Sequence, residues 1–267
     1  GLLAIGALVE QPDGQLTFRH ELARLAVLQR VPVSRQRQLH RRIADHIAAR
    51  FAPDDLPRMA ERFHHCAAVG DADAVLALAP KLAAHAARMG AHKQAALFLA
   101  KAIPHADRLP AADAAQMHES WSYEAGLAEQ IDADVIRARH AAIALWREVG
   151  RMDKVGLNLR WLSRLHWYRG EAAEAEQFIH EAVRVLEADG PSTELAWSYS
   201  VRSQWAMLND RHDEAVEWGR RAIDLADRFG ETEVRIHALN NMGTALLLSS
   251  GASSGRAMMD ESLSLAL

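Results

Sequence analysis

The stretch PSTELAWSYSVRSQWAMLNDRHDEAVEWGRRAIDLADRFG, residues 191–230, decides the fold, because its pattern recurs every forty residues along the chain. Three columns of the pattern each keep one residue type, namely small residues, aliphatic residues and helix breakers. The columns are Ala102, Ala142, Ala182, Ala222 and Ser262; Ile103, Ile143, Val183, Ile223 and Leu263; and Pro110, Gly150, Gly190 and Gly230. Such a period indicates one supersecondary unit stacked repeatedly, with each unit burying its apolar side against the next.

Each unit is predicted to consist of a helix A, a break near its twentieth residue and a helix B. The predicted units are 71–110, 111–150, 151–190, 191–230 and a truncated 231–267. Gly170 is expected to end a helix A, and Gly190 and Gly230 to end helices B, since glycine tolerates the left-handed conformation there. Small residues at helix crossings let the helix axes approach closely. The alanines predicted at such crossings are Ala175, Ala182, Ala215 and Ala222.

The first seventy residues follow a different pattern. Ala7-Leu8-Val9 and Leu16-Thr17-Phe18 flank Pro12-Asp13-Gly14, and Asp-Gly between two apolar stretches predicts a β-hairpin. Helical periodicity begins at His20. Three apolar stripes follow: Leu22, Leu25, Ala26 and Leu28; then, after Pro32, Leu39, Ile43, Ile47 and Phe51; then, from Pro53 and Pro57, Leu56, Met59, Phe63 and Cys66.

Composition limits the class of protein. The chain has 267 residues, a formal net charge of −4 and 49% hydrophobic residues. Near-balanced charge argues against a nucleic-acid surface over the whole chain, and no apolar run approaches the roughly 18 residues of a membrane span. The single cysteine, Cys66, excludes an internal disulfide framework and suits a reducing, cytoplasmic location. Since the chain starts at Gly1 and stops within a repeat, we expect it to be a piece of a longer protein.

The repeats resemble those of the tetratricopeptide family. Leu239-Asn240-Asn241-Met242-Gly243-Thr244-Ala245-Leu246 matches the helix-A pattern of that family, and Ala215 and Ala222 match its helix-B alanines, seven residues apart. The period is longer than usual, and glycine replaces the family's proline after helix B. The resemblance implies an all-α fold, a right-handed α-solenoid of tetratricopeptide-like helical hairpins over 51–267, preceded here by a short N-terminal β-hairpin.

A second resemblance concerns the N-terminal part. Phe18-Arg19-His20-Glu21-Leu22, followed by Arg35-Gln36-Arg37-Gln38-Leu39-His40-Arg41-Arg42-Ile43-Ala44, resembles a junction in MalT-like, ATP-dependent LuxR-type transcription regulators of the STAND ATPase class. It implies that 1–50 is the end of a winged-helix-like domain with connecting helices. ATP would then bind a missing upstream domain, since this chain contains no Gly-x-x-x-x-Gly-Lys-Ser/Thr loop and is expected to hold no cofactor. Related arrangements occur in ATPases linked to nucleotide cyclases or kinases, so the output domain stays open.

The residues expected to line the binding groove come from the inward-facing helix-A columns of tetratricopeptide arrays. Carried onto this sequence, they are Arg160, Arg164 and Trp167; Trp197, Ser200, Gln204 and Met207; and His237, Asn240 and Thr244. Two tryptophans beside two arginines are typical of a recognition surface. The alternative is that Trp167 and Trp197 only fill the core between repeats, as is expected of Trp121, Trp161 and Trp205.

Other polar clusters favour structural roles. The basic stretch, defined as Arg35, Arg37, Arg41 and Arg42, is interpreted as a contact with the missing ATPase domain rather than with phosphate or nucleic acid. His64-His65-Cys66 does not predict a metal site, because adjacent helical side chains point about 100° apart and all three therefore cannot converge on one ion. Cys66 is expected to be buried and the two histidines half exposed. No nucleophile elbow or catalytic ordering of Ser, His and Asp accompanies the remaining histidines, so no catalysis is expected.

Two functions remain open at this point. The first is a sensor and oligomerisation module that binds a protein, self or other, or a small-molecule effector in the groove of a LuxR-type regulator. The second is a protein-docking scaffold of another STAND ATPase. Neither requires contact of this chain with nucleic acid or a membrane.

Overall fold

The computed structural model describes residues 6–10, 16–250 and 253–267. The chain divides into two compact units, Gly1–Leu82 and Ala83–Leu267. They are called the N-terminal unit and the repeat unit below. The helix Ala72–Arg88 (α4) crosses the boundary between them. The domain boundary expected at residues 50 and 51 stays a prediction.

The N-terminal unit begins with the predicted hairpin. Strands β1 (Leu8–Glu10) and β2 (Leu16–Phe18) pair antiparallel, with Leu8 opposite Phe18 and Glu10 opposite Leu16. The predicted turn, Pro12-Asp13-Gly14, lies outside the described residues. Three helices follow: α1 (Glu21–Arg30), α2 (Val33–Arg50) and α3 (Leu56–Val69).

Helices α2 and α3 pack as a pair. Ile47 of α2 and the apolar side of α3, including Phe63 and Cys66, are buried. Asp55 caps α3 by accepting a hydrogen bond from the Arg58 backbone N–H at 3.2 Å, which satisfies one free N–H group of the first turn. In contrast, α1 buries none of its residues, and its leucines remain exposed.

The repeat unit is a series of helices in which each packs on its neighbour in sequence. These are α5 (His92–Ala102), a 3-10 segment (Ile103–Arg108), α6 (Ala111–Leu127), α7 (Ala133–Glu148), α8 (Met152–Tyr168), α9 (Ala172–Asp189), α10 (Thr193–Leu208), α11 (His212–Phe229), α12 (Thr232–Ser250) and α13 (Ser253–Ala266). The hairpins α6–α7, α8–α9, α10–α11 and α12–α13 coincide with the predicted repeats from residue 111 onward. The unit is therefore the expected α-solenoid of tetratricopeptide-like hairpins.

The repeats stack through small residues. The four alanines predicted at helix crossings (Ala175, Ala182, Ala215 and Ala222) have no exposed surface. Gly156 of α8 lies so close to Leu186 of α9 that a Cβ atom there would be 2.3 Å from the leucine Cγ. Helix α10 contacts both α8 and α12, so the A helices of successive repeats form one continuous layer.

A buried polar network joins α6, α7 and α8. The Glu119 carboxylate accepts hydrogen bonds from Trp146 Nε1 at 2.9 Å, Asn158 Nδ2 at 2.7 Å and Lys154 Nζ at 2.8 Å. Arg139 has no exposed surface and donates from Nη1 to Asn158 Oδ1. Such a network fixes how adjacent helices are rotated, because each member needs its partner in place.

Among the described residues, we find no helix that combines the length and the apolar character needed to cross a membrane.

Candidate functional site

The site that best fits the predicted groove is a cavity of about 370 Å³ that spans the A helices α8, α10 and α12. We call it the first cavity. It is lined by Arg160, Arg164, Trp167, Tyr168, Trp197, Val201, Gln204, Trp205, Leu208 and His237.

Helical spacing explains why these side chains meet. Positions four, seven, eight and eleven residues after Trp197 lie on one face of α10, and these are the lining residues Val201 to Leu208. On α8, Arg160 and Arg164 lie one turn apart on the face that turns toward α10. Since α10 contacts α8 and α12, these faces converge on one cavity.

The two arginines of the first cavity have different environments. Arg160 forms an ion pair with Glu194, with 3.1 Å between Nη2 and Oε2, and its guanidinium lies 5.5 Å from the ring centroid of Trp197. Arg164 donates from Nε and Nη2 to the phenol oxygen of Tyr168, at 3.0 and 2.8 Å. No carboxylate in the described part of the chain forms an ion pair with Arg164. Its charge is therefore available to an anionic ligand.

His237 closes the first cavity on the α12 side. Its Nδ1 lies 2.7 Å from Ser200 Oγ and 3.3 Å from Asn241 Nδ2. Burial, and then the charges of Arg164 and Arg160, lower the pKa of His237 to about 4. The imidazole is therefore neutral near pH 7, and the cationic groups of this cavity are the two arginines.

A second cavity, of about 380 Å³, adjoins the first along α8. Arg164 and Tyr168 line both cavities and form the wall between them. The remaining lining residues are Gly126, Leu127, Glu129, Ile131, Trp161 and Leu165. The two cavities lie side by side along α8, and "the groove" refers to both below.

The structure brings six of the ten predicted groove residues to the first cavity: Arg160, Arg164, Trp167, Trp197, Gln204 and His237. The other four do not line it. Ser200 is buried behind His237, and Met207 packs against the buried alanines Ala206, Ala215 and Ala245. Asn240 is exposed, and Thr244 donates to the Asn240 carbonyl oxygen at 2.8 Å.

Sequence reasoning missed four lining residues of the first cavity: Tyr168, Val201, Trp205 and Leu208. Trp205 was expected in the core, and it is indeed 94% buried. Its Nε1 donates a hydrogen bond to Ser163 Oγ at 3.1 Å, and only one part of the side chain reaches the cavity. Trp167 has the opposite character, since it is 42% exposed. It is therefore a groove residue rather than a core filler. The sequence feature that could have indicated Tyr168 as a lining residue is its position one helical turn after Arg164.

The basic stretch lies on α2 of the N-terminal unit. Its members, Arg35, Arg37, Arg41 and Arg42, are all exposed. Arg35 donates to the Gln38 side chain. Their contact with another domain stays a prediction.

The N-terminal unit also contains a group of three histidines that sequence spacing did not reveal. His40 of α2 lies beside His64 and His65 of α3, and one nitrogen from each ring falls within 4.8 Å of the others. We call this group the histidine cluster. Cys66 is buried, as expected, and is not a member. Burial, and then the neighbouring His40 and His64, lower the pKa of His65.

Comparisons with known proteins indicate the fold. No protein-family model matches the chain, and no curated protein matches it by sequence. Solved structures do match. BtubC (BKLC) from P. vanneervenii is 16% identical with a TM-score of 0.57, over 88% of this chain and 91% of that one. A Podosopora anserina protein of nearly identical TPR-like repeats is 13% identical with a TM-score of 0.54, over 70% of this chain and 93% of that one.

A STAND protein with a tetratricopeptide repeat sensor from Pyrococcus horikoshii is 12% identical over 99% of this chain and 51% of that one, with a TM-score of 0.48. Identities this low show a shared fold alone, and that conclusion rests on the first two matches. The chain has a tetratricopeptide-like fold.

Proposed function

We propose that this chain is a non-catalytic sensor and protein-interaction module of an ATP-dependent, LuxR-type transcription regulator. In this proposal its groove binds an acidic peptide segment of a partner protein. The observation that carries the proposal is the position of Arg164, a cation without a carboxylate partner among the described residues, in the shared wall of two aromatic-lined cavities.

The chemistry of the groove favours a carboxylate ligand. A carboxylate could accept from the Arg164 guanidinium in addition to, or in place of, the Tyr168 phenol, and charge-assisted hydrogen bonds of this kind are the stronger ones. Arg160 Nε is buried and has no hydrogen-bond partner within the described ranges, which leaves a second donor beside the same cavity. Trp167 offers an exposed indole for apolar contact with the rest of the ligand.

The shape of the groove favours an extended ligand. Two adjoining cavities of similar volume, about 370 and 380 Å³, lie in a row along α8. A compact metabolite would occupy one of them, whereas a peptide side chain in each cavity would use both. We therefore favour a peptide over a small-molecule effector.

The assignment to a LuxR-type regulator is supported by the N-terminal motif. Phe18 ends β2 and Glu21 begins α1, so Phe18-Arg19-His20-Glu21-Leu22 lies at a strand-to-helix junction. The end of a winged-helix domain, which this motif resembles, has the same order of elements. If a nucleotide cyclase or kinase domain followed downstream, instead of a LuxR-type helix-turn-helix, the chain would be the protein-docking scaffold of another STAND ATPase.

The binding proposal is tested by tryptophan fluorescence of the purified chain, titrated with the peptide Leu-Glu-Leu-Glu-Leu-Glu and its glutamine counterpart. We expect saturable binding of the acidic peptide and at least about tenfold weaker binding of the neutral one, since hydrogen bonds to charged groups contribute about 1.5–3 kcal/mol. Arg164→Gln should remove this preference. The matched control is Arg184→Gln, an exposed arginine of α9 outside the groove. Equal binding by the Arg164→Gln and Arg184→Gln variants would contradict the proposal.

The regulatory proposal needs the full-length protein. Arg164→Gln in that protein should abolish the response of a promoter reporter to its inducing signal, whereas Arg184→Gln should preserve it. A normal response of the Arg164→Gln protein would show that the groove is not the sensor.

A further inference from the structure

The histidine cluster places three imidazoles from two helices side by side. The ring centroids of His40 and His65 are 5.0 Å apart, those of His64 and His65 are 5.2 Å apart, and those of His40 and His64 are 5.9 Å apart. The Nδ1 atoms of His40 and His65 approach to 2.7 Å. In the part of the chain that the structure describes, this is the one group of three or more His, Cys, Asp or Glu residues with the spacing of metal ligands.

The packing of α2 on α3 holds the cluster in position. Ile47 of α2 and Phe63 and Cys66 of α3 are buried, so both helices are fixed in rotation about their axes. Residues 64 and 65 flank the buried positions 63 and 66. Their side chains therefore lie outside the apolar stripe of α3, and both rings lie next to the His40 ring of α2. The rings are half-buried or exposed, so solvent can reach them.

Imidazole nitrogen is a ligand that suits Zn²⁺, Cu²⁺ and Ni²⁺. In a tetrahedral zinc site with Zn–N bonds of about 2.0–2.1 Å, the nitrogens are about 3.3–3.4 Å apart, which follows from the tetrahedral angle. The three nitrogens here lie within 4.8 Å of one another, so no distance between them exceeds the tetrahedral value by more than about 1.5 Å. Three protein ligands leave the fourth position to water or to a further ligand.

We propose that His40, His64 and His65 form a binding site for one divalent transition-metal ion, with Zn²⁺ as the best fit and solvent in the fourth position. The ion would link α2 to α3 across their connecting loop. A direct His40–His65 hydrogen bond is the arrangement without metal, and the ion would replace it. This proposal concerns the N-terminal unit and does not depend on the groove.

The test is isothermal titration of the tag-free, metal-stripped chain with ZnCl₂ in a non-chelating buffer. We expect one equivalent of Zn²⁺ to bind. Each of the variants His40→Gln, His64→Gln and His65→Gln should weaken binding at least tenfold, because even outer-shell partners of a metal typically contribute 10–100-fold. The matched control is His46→Gln, an exposed histidine six residues further along α2, which should bind as the parent does.

Thermal unfolding gives a second, independent measurement on the same proteins. Zn²⁺ should raise the midpoint of the parent and of His46→Gln, since a ligand that binds the folded state stabilises it, and should leave that of His40→Gln unchanged. Circular dichroism without metal identifies any variant that fails to fold. The proposal is overturned if His40→Gln binds Zn²⁺ as tightly as the parent. That result would reduce the site to two adjacent surface histidines.

Discussion

Arg139 Nη1 and Asn158 Oδ1 form a hydrogen bond of 2.8 Å between α7 and α8, and neither residue has any exposed surface. Burial lowers the pKa of the Arg139 guanidinium to about 9, while the nearby Glu119 carboxylate opposes that shift. A cation is thus enclosed between two repeats and linked through Asn158 to one carboxylate. Because α8 carries both groove arginines, this network positions one wall of the groove.

The first prediction concerns the Glu119 carboxylate at the centre of this network. Glu119→Ala leaves the Trp146 N–H group and the Lys154 ammonium without their acceptor and Arg139 without its nearest opposite charge. Breaking a buried ionic network in this way costs about 3–5 kcal/mol of unfolding free energy. Urea denaturation measures it. The exposed Glu148→Ala should change stability by about 0.5 kcal/mol at most. An equal, small loss for both variants would show that the network contributes little.

The close approach of Gly156 to Leu186 gives a second prediction. An alanine Cβ at position 156 would overlap the leucine, so Gly156→Ala should destabilise the repeat unit by about 1–3 kcal/mol. Leu186→Ala alone should also destabilise it, because Leu186 is fully buried. The double variant should lose less stability than the sum of the two single losses, because the new methyl group occupies the space that the leucine vacated. Strict additivity in denaturant unfolding would rule out direct contact as the cause.

The lowered pKa of His237 predicts a pH dependence of stability. The unfolded chain binds a proton at this histidine near pH 6.5, whereas the folded chain binds it only near pH 4. Between these values the unfolded state holds more protons, so the free energy of unfolding falls as pH falls. His237→Gln should reduce that slope by up to about 1.4 kcal/mol per pH unit. Urea denaturation from pH 7 to pH 4.5 measures it.

The control for this histidine is His46→Gln, a substitution of an exposed histidine outside the first cavity. Other histidines whose pKa burial lowers, such as His118, add to the parent slope in the same direction, which is why the comparison is between variants. If His237→Gln and the parent lose stability in parallel, His237 does not carry the effect.

Two neighbouring tryptophans of the first cavity should respond differently to truncation. Trp205→Ala empties a largely buried site and removes the hydrogen bond to Ser163, so we expect a loss of about 3–5 kcal/mol. Trp167→Ala should cost less than about 1 kcal/mol, because much of this side chain is exposed, but it should weaken peptide binding. Thermal unfolding and fluorescence titration separate the two effects. A large loss of stability for Trp167→Ala would show that Trp167 contributes to the core.

Much of the architecture could be predicted because it depends on local patterns. The forty-residue columns gave the hairpins from residue 111 onward, and glycines such as Gly230, with a φ of 73°, end helices where expected. The alanines at helix crossings were predicted correctly for the same reason. A crossing position needs a small side chain, and that requirement is visible in the sequence itself.

Other features depend on how helices rotate against each other. The leucine stripe of α1 predicted a helix correctly, but it could not predict whether the leucines are buried. Periodicity does not say whether another element covers the stripe, and none of the α1 residues is buried. The columns carried over from the tetratricopeptide family include Arg164 and Trp167, which line the first cavity, and also Asn240 and Thr244, which do not. The family pattern gives the face of a helix but not how far a cavity extends along it.

The sequence by itself determined the repeat, the order of the helices and the residue type at each crossing, because these follow from contacts within about forty residues and from helical spacing. Only the tertiary structure decided which side chains meet. His40 reaches His64 and His65 because α2 and α3 bury their apolar sides together. Arg160 of α8 pairs with Glu194 of α10 because these two helices pack against each other. Such encounters depend on packing of whole helices, which no spacing along the chain records.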